Sequence, residues 1–296
     1  MFATILDCNG RSLALDRPRI CGIINITADS FSDGGRFLDA DRAIEHGLKL
    51  VEEGADLLDI GAESTRPGAA DVSAGDEIAR VVPAIAALAK QVQVPISVDT
   101  SKPEVMRAAV AAGAGLINDV FALRRDGALD AAAELKVPVC LMHMQGEPRT
   151  MQDDPRYDDV VGEVHRFLTD RLFACQLAGI DKKNILVDPG FGFGKTLEHN
   201  LALLRALGRF AEIAPVLAGL SRKAMIGALT GHANPAERAA GSAAAALIAV
   251  QRGAAIVRVH DVAATRDALA VWNAVAAGDA VPRKAAATQR SPWDED

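Results

Sequence analysis

Short apolar runs alternate with longer amphipathic stretches along most of this chain. The runs begin near Ile20, Leu57, Ile96, Leu116, Val137, Ile185, Val216 and Ile256, and they are rich in Val, Ile and Leu. Gly, Pro or charged residues bracket them, as expected of strands buried on both faces. The segments between them carry helical spacing. Val160, Val164, Phe167, Leu168, Leu172 and Cys175 fall on one helix face, and Met106, Ala109 and Val110 on one face of a helix entered at Pro103. Strands alternating with helices in this way predict an α/β fold, a (β/α)8 barrel, with a doubly wound open sheet as the alternative. Asn9-Gly10 between two short apolar runs predicts a hairpin over about residues 1–16, placed to cap the bottom of the barrel. The barrel is expected to fill residues 1–277, and the polar, Pro-containing tail 278–296 is expected to be disordered.

Polar residues then fall in a pattern. The first run ends at Asn25, the third at Asp99, the fourth at Asn118 and Asp119, and the fifth at His143. The sixth ends at Asp188, the seventh at Ser221, Arg222 and Lys223, and the eighth at Arg258 and His260. An Asp or Asn after a strand is ordinarily a helix cap or turn former. That reading weakens when nearly every strand ends so. In a barrel the strand ends meet on one face, where active sites lie. Asp99, Asn118 and Asp188 suit the edge of a flat, nitrogen-rich heterocycle. Lys223, Arg258 and His260 suit a phosphate or diphosphate. Two loops rich in Gly, Ser and Asp, from Asn25 to Gly35 and from Glu63 to Gly68, are placed to close over such a ligand.

One motif is a near miss. Gly190-Phe191-Gly192-Phe193-Gly194-Lys195-Thr196 resembles a Walker A loop, but Pro189 stands where its first Gly belongs, so a nucleotide triphosphatase is rejected. The glycines are read instead as letting backbone approach a flat ring, with Phe193 beside it.

Composition narrows the classes. Of 296 residues half are hydrophobic, enough for one large core, and the net charge of −7 argues against binding nucleic acid or a membrane surface. Cys8, Cys21, Cys140 and Cys175 form no CxxC pair, so neither a zinc site nor a disulfide framework is indicated. With no signal peptide or apolar span read, the expected location is the cytoplasm.

The segments NITADSFSDGG from Asn25, GAESTRPGA from Gly61, SVDTSKP from Ser97, GLINDV from Gly115 and LMHMQGEPRTMQ from Leu141 form an ordered set. It continues with VDPGFGFGKT from Val187, GLSRKAMIG from Gly219 and VRVHDV from Val257. In this order they resemble the dihydropteroate synthase family over about Ile20 to Val275. The resemblance implies a TIM barrel, usually a homodimer. It implies an enzyme that joins a dihydropterin diphosphate to 4-aminobenzoate with Mg²⁺, and a sulfonamide target. It also implies roles. Asp99, Asn118 and Asp188 would bond the pterin, with Lys223 at its carbonyl and Met142, Phe193 and Gly219 around the ring. Asn25, Arg258 and His260 would bind diphosphate, Asn25 with its Mg²⁺, and these three with Asp99 and Lys223 form the expected catalytic set. Phe31, Thr65, Arg66, Pro67 and Ser221 would shape the aminobenzoate site. Ala28, where the family commonly has Pro, and Ala224, where Ser is frequent, depart from its pattern without removing a proposed catalytic group.

Three rivals share parts of this reading. A pterin-binding methyltransferase barrel would not need the Thr65-Arg66-Pro67 loop. A silent paralogue would have lost strand-end charges. A phosphate-binding aldolase-like barrel would use Lys223 as a Schiff base, favoured by Arg222 beside it.

Overall fold

The computed structural model describes residues 5–26, 36–63 and 72–277. Two short strands, β1 (Ile5–Cys8) and β2 (Arg11–Ala14), pair antiparallel around Asn9-Gly10. Both turn residues have positive φ, 57° and 83°, the turn that matches the twist of a tight hairpin. Eight parallel strands follow: β3 (Arg19–Asn25), β4 (Leu57–Gly61), β5 (Ile96–Asp99), β6 (Leu116–Asp119), β7 (Val139–Met142), β8 (Ile185–Asp188), β9 (Val216–Ala218) and β10 (Ala254–Val259). They close in sequence order, β10 pairing with β3, so the open-sheet alternative is excluded. The helices between and after them are α1 (Arg36–Glu52), α2 (Ala74–Gln91), α3 (Pro103–Ala111), α4 (Ala128–Leu135), α5 (Val160–Leu177), α6 (Leu197–Arg205), α7 (Ala224–Thr230), α8 (Ala239–Gln251) and α9 (Val262–Ala277). The polar tail from Gly278 lies outside the described residues.

Period-two alternation sorts each strand's residues between helix layer and lumen. On β4, Leu58 and Ile60 join the outer core, while Leu57 joins an inner cluster. That inner cluster holds Cys21, Leu57, Leu116, Cys140, Leu186, Leu217 and Ile256, and the hairpin's Leu6, Cys8 and Leu13 seal it from below. The hairpin therefore plugs the bottom of the barrel, as its position predicts. The fit is tight: a Cβ on Gly115 would stand 2.2 Å from the carbonyl oxygen of Cys8. Asn9 ties the turn to the barrel, donating from Nδ2 to the carbonyl of Ala114 at 3.1 Å. Apolar side chains thus fill the floor of the lumen, and its hydrogen-bonded polar residues Asp59, Asp99, Asn118 and Arg258 lie above them, toward the strand C-terminal ends.

Among the described residues no helix is long and apolar enough to cross a membrane. All four cysteines are free and buried, and Cys21 and Cys140 lie in the apolar floor.

Candidate active site

Adjacent strands bring the expected residues into line. Asn25 is in register with Gly61, Gly61 with Asp99, and Asp99 with Asn118, so β3 to β6 end in one row. Met142 is in register with Asp188 across β7 and β8. Gly61 and Gly219 leave room among them. A Cβ on Gly61 would stand 3.2 Å from Asp99 Cβ, and one on Gly219 would lie 3.9 Å from Asp188 Oδ2 and 4.0 Å from Arg258 Cβ.

The lumen is a charged network. Arg258 donates from Nε to Asp59 Oδ2 at 2.5 Å and from a terminal nitrogen to Asp99 Oδ2 at 2.8 Å. Asn118 donates from Nδ2 to the same Asp59 oxygen at 3.1 Å. Asp188 accepts the backbone N–H of Gly190 at 2.7 Å. Lys223 donates to the carbonyl of Phe191 and lies 4.4 Å from the centre of the Phe193 ring. Ser221, at the mouth, bonds through Oγ to both the backbone nitrogen and Nδ1 of His260, at 3.1 and 3.0 Å. Asn25 is the exposed last residue of β3.

Burial sets the protonation tendencies. Desolvation pushes Asp99 up to about 7, with Arg258 opposing and Asp59 adding to the rise. It raises Asp188 as well, against the pull of Lys223. Lys223 is lowered to about 8, again by burial first. Burial also opposes the charge of Arg258, but Asp59 and Asp99 outweigh it and hold its pKa above the usual value. An acid near neutrality beside a weakened lysine is a group set suited to handling charge that changes during a reaction.

Some strand-end residues do other work. Asp119 faces away from the lumen, and its two oxygens accept the backbone N–H groups of Phe121 and Leu123 at 2.8 and 2.7 Å. For Asp119 the ordinary turn-former reading holds. For Asp99 it fails: α3 begins four residues on, its cap position is Lys102, and no side chain caps it. His143 also turns outward, meeting Phe167 edge-on at 4.8 Å and placing Nδ1 2.9 Å from Lys195 Nζ. Burial, with Lys195 adding, lowers His143 to about 2. Lys195 is itself almost fully buried and bonds the carbonyls of His143 and Phe193, so it clasps the loops after β7 and β8 together. Two glycines of that second loop share this purpose, while a Cβ on Gly192 would stand 3.2 Å from Lys223 Cδ. A Cβ on Gly190 would stand 1.9 Å from the carbonyl oxygen of His143, and one on Gly194 would lie 2.4 Å from that of Gln145. They let the two loops touch backbone to backbone.

Arg222 does not act on Lys223. It has φ 58° and points into a bidentate pair with Asp261, at 3.0 and 2.6 Å. Phe31, Thr65, Arg66 and Pro67 lie outside the described residues. The stem of the second loop is visible, however. Lys102 bridges Glu63 at 2.5 Å and the fully buried Glu77 at 2.7 Å, and Glu63 accepts the N–H of Val72 at 3.4 Å. Sequence reasoning missed Asp59 at the centre of the network, although its signal was present: an acid two positions before Gly61 must face the same side of the strand.

The whole barrel matches known proteins. Residues 21–260 match the family model described as pterin binding enzyme. Dihydropteroate synthase of Escherichia coli strain K12 is 51% identical over 270 residues, covering 91% of this chain and 95% of that one. A structure of Xanthomonas albilineans dihydropteroate synthase with 4-aminobenzoic acid is 62% identical, with TM-score 0.89 over 95% of this chain and 100% of the other. The same enzyme in complex with 7,8-dihydropteroate is 59% identical, with TM-score 0.85 over 94% and 100%. Yersinia pestis dihydropteroate synthase in a sulfonamide drug complex is 48% identical, with TM-score 0.88 over 92% and 99%. The chain belongs to the pterin-binding enzymes and, among them, to the dihydropteroate synthases.

Proposed function

We propose that the chain condenses 6-hydroxymethyl-7,8-dihydropterin diphosphate with 4-aminobenzoate, releasing diphosphate and 7,8-dihydropteroate in folate synthesis, by a dissociative path. The observation that carries this is the lumen network of three acids, Asn118, Lys223 and Arg258 above a sealed floor. The Xanthomonas complexes with 4-aminobenzoic acid and 7,8-dihydropteroate support the substrate assignment.

In this reading Asp99, Asn118 and Asp188 hold the ring edge, Lys223 its carbonyl, and Met142, Phe193 and Gly219 its faces. Arg258 leaves Asp99 for the departing diphosphate, with His260 and Asn25 beside it. Asp99, no longer paired, then carries its charge beside the cation left on the ring. A fixed charge aimed at such a centre is typically worth about 3–4 kcal/mol. Aminobenzoate, already uncharged at nitrogen, attacks the methylene without a strong base. Phe31, Thr65, Arg66, Pro67 and Ser221 shape the aminobenzoate end. Sulfonamides would compete there, a view the Yersinia complex supports.

Mg²⁺ belongs to this proposal as a partner of the diphosphate. The residues fit: Asn25 offers one neutral, hard oxygen at the exposed mouth, and Mg²⁺ prefers few protein ligands with phosphate oxygens and water making up the rest. In this reading the diphosphate oxygens and water supply the remaining ligands. When bound, the ion neutralises charge on the leaving oxygens.

A homodimer through the late helices is part of the same proposal. Ile248 on α8 and Val271 and Val275 on α9 are exposed apolar residues on that side. A cytoplasmic location is supported by the four unpaired, buried thiols. The testing experiment incubates the protein with both substrates and Mg²⁺. Equal amounts of diphosphate and dihydropteroate, dependent on Mg²⁺, are expected. Neither product from folded protein that binds the pterin would favour the methyltransferase relative or a silent paralogue.

A further inference from the structure

Asp59 is the least accessible acid of the lumen, 1% exposed, in the middle of β4. Its Oδ2 accepts from two residues the reaction is expected to use, Arg258 Nε at 2.5 Å and Asn118 Nδ2 at 3.1 Å. Its Oδ1 has no hydrogen bond, and neither does Ser97 Oγ, in register with it on β5. A buried carboxylate with one oxygen unpaired is costly, and an apolar side chain would fill this layer as well. Its gain must lie in what Oδ2 holds.

An arginine only donates, so the oxygen that faces Arg258 is an acceptor. The Asn118 atom facing that same oxygen must then be the amide nitrogen. The amide is planar and its two heads point apart, so the Asn118 carbonyl oxygen is turned away from Asp59. We propose that Asp59 is a positioning residue that determines specificity: it fixes the rotation of the Asn118 amide so that Asn118 offers an acceptor to the ligand and reads an N–H donor on the ring edge, and it anchors Arg258 by Nε. The inference rests on the reading of the lumen as the pterin site. It adds a polarity to that reading. A ring edge with a lone pair where the N–H belongs would meet the Asn118 oxygen and be rejected, because a buried acceptor facing an acceptor leaves both unpaired. The anchored Nε also explains how Arg258 exchanges Asp99 for an incoming anion: only its terminal nitrogens need to move.

The test compares Asp59→Leu with Asp59→Asn, read by calorimetric binding of 6-hydroxymethyl-7,8-dihydropterin, which lacks the diphosphate, alongside thermal melting. In Asp59→Leu nothing holds the Asn118 amide, and binding is expected to weaken by about 10-fold or more. In Asp59→Asn the donor-only Arg258 Nε still selects an oxygen at the shared contact, so the Asn118 nitrogen still faces an acceptor, and affinity is expected to stay within a few-fold of the unaltered protein. Should Asp59→Leu fail to fold, the smaller Asp59→Ala takes its place. Unchanged pterin affinity in the variant without an acceptor, or an equal loss in Asp59→Asn, would overturn the proposal. Failure of the unaltered protein to bind the pterin would sink the reading of the site and this proposal with it.

Discussion

Replacing Asp99 by Asn separates what this side chain does for the fold from what it does for the reaction. Burial moves its carboxyl from 3.8 to about 7, with Arg258 opposing the rise. That displacement means that the ionised form costs the folded state about 4 kcal/mol. Below about pH 4 the group is neutral in folded and unfolded chains alike, and there is no cost. From there to about pH 7 the unfolded chain ionises and the folded one does not, so the cost grows, and above about pH 7 it is fully present. Asn keeps the shape and never ionises. Arg258 loses one charged partner but keeps Asp59 at 2.5 Å, which offsets part of the gain. Asp99→Asn is therefore expected to be more stable than the unaltered protein by about 1–3 kcal/mol at about pH 8, with the difference vanishing near pH 4. For the reaction, a carboxylate about 4 Å from a cation in an effective dielectric of about 20 is worth about 4 kcal/mol, or roughly 10³ in rate. Urea melts at the two pH values and single-turnover kinetics with separately measured pterin affinity are the assay. A variant less stable at about pH 8, or one losing affinity as much as turnover, would refute the reasoning.

Three other perturbations have defined outcomes. Lys223, lowered to about 8 by burial, is charged below that pH, so activity that needs its ammonium should fall as pH rises through about 8; Lys223→Met should flatten that limb, and borohydride should trap no Schiff base. Lys102→Met leaves Glu63 facing the fully buried Glu77 without a counter-charge, and a loss of about 3–5 kcal/mol is expected in denaturant melts. Gly190→Ala forces a Cβ onto the His143 carbonyl at φ 71°, so the melting temperature and pterin affinity should fall together, whereas Gly179→Ala, at φ 92° in open space, should carry only the backbone strain of about 1–2 kcal/mol.

The eight strands were legible because they are short and apolar and alternate with amphipathic stretches, but their closure was not, since only the pairing of β10 with β3 separates a barrel from an open sheet. The hairpin at Asn9-Gly10 was legible from two residues that tolerate positive φ. The network was legible only at its ends. Asp99, Asn118, Asp188, Lys223 and Arg258 stood out because each closes an apolar run, but Asp59 lies inside one and was absorbed into it. His143 and Asp119 closed runs too, yet one step of strand periodicity turns them to the outer layer. Chain position alone does not say which face a terminal residue takes. Nothing in the sequence announced that Gly190 and Gly194 press against the backbone of His143 and Gln145, because that contact joins two separate loops. On the Ala-rich helix α8, Ala245, Ala246 and Ala249 are buried while Ile248 is exposed, which small residues on every side do not announce.

The central claim is that the lumen carries a pterin cation between loss of diphosphate and attack of the amine. Its most direct test is the secondary isotope effect on single-turnover rate with deuterium at the exocyclic methylene of the pterin diphosphate. The account predicts a clearly normal effect, because that carbon flattens as the leaving group departs, and the same effect for weaker and stronger aromatic amines. An effect at unity that changes with the amine would contradict it and indicate direct displacement.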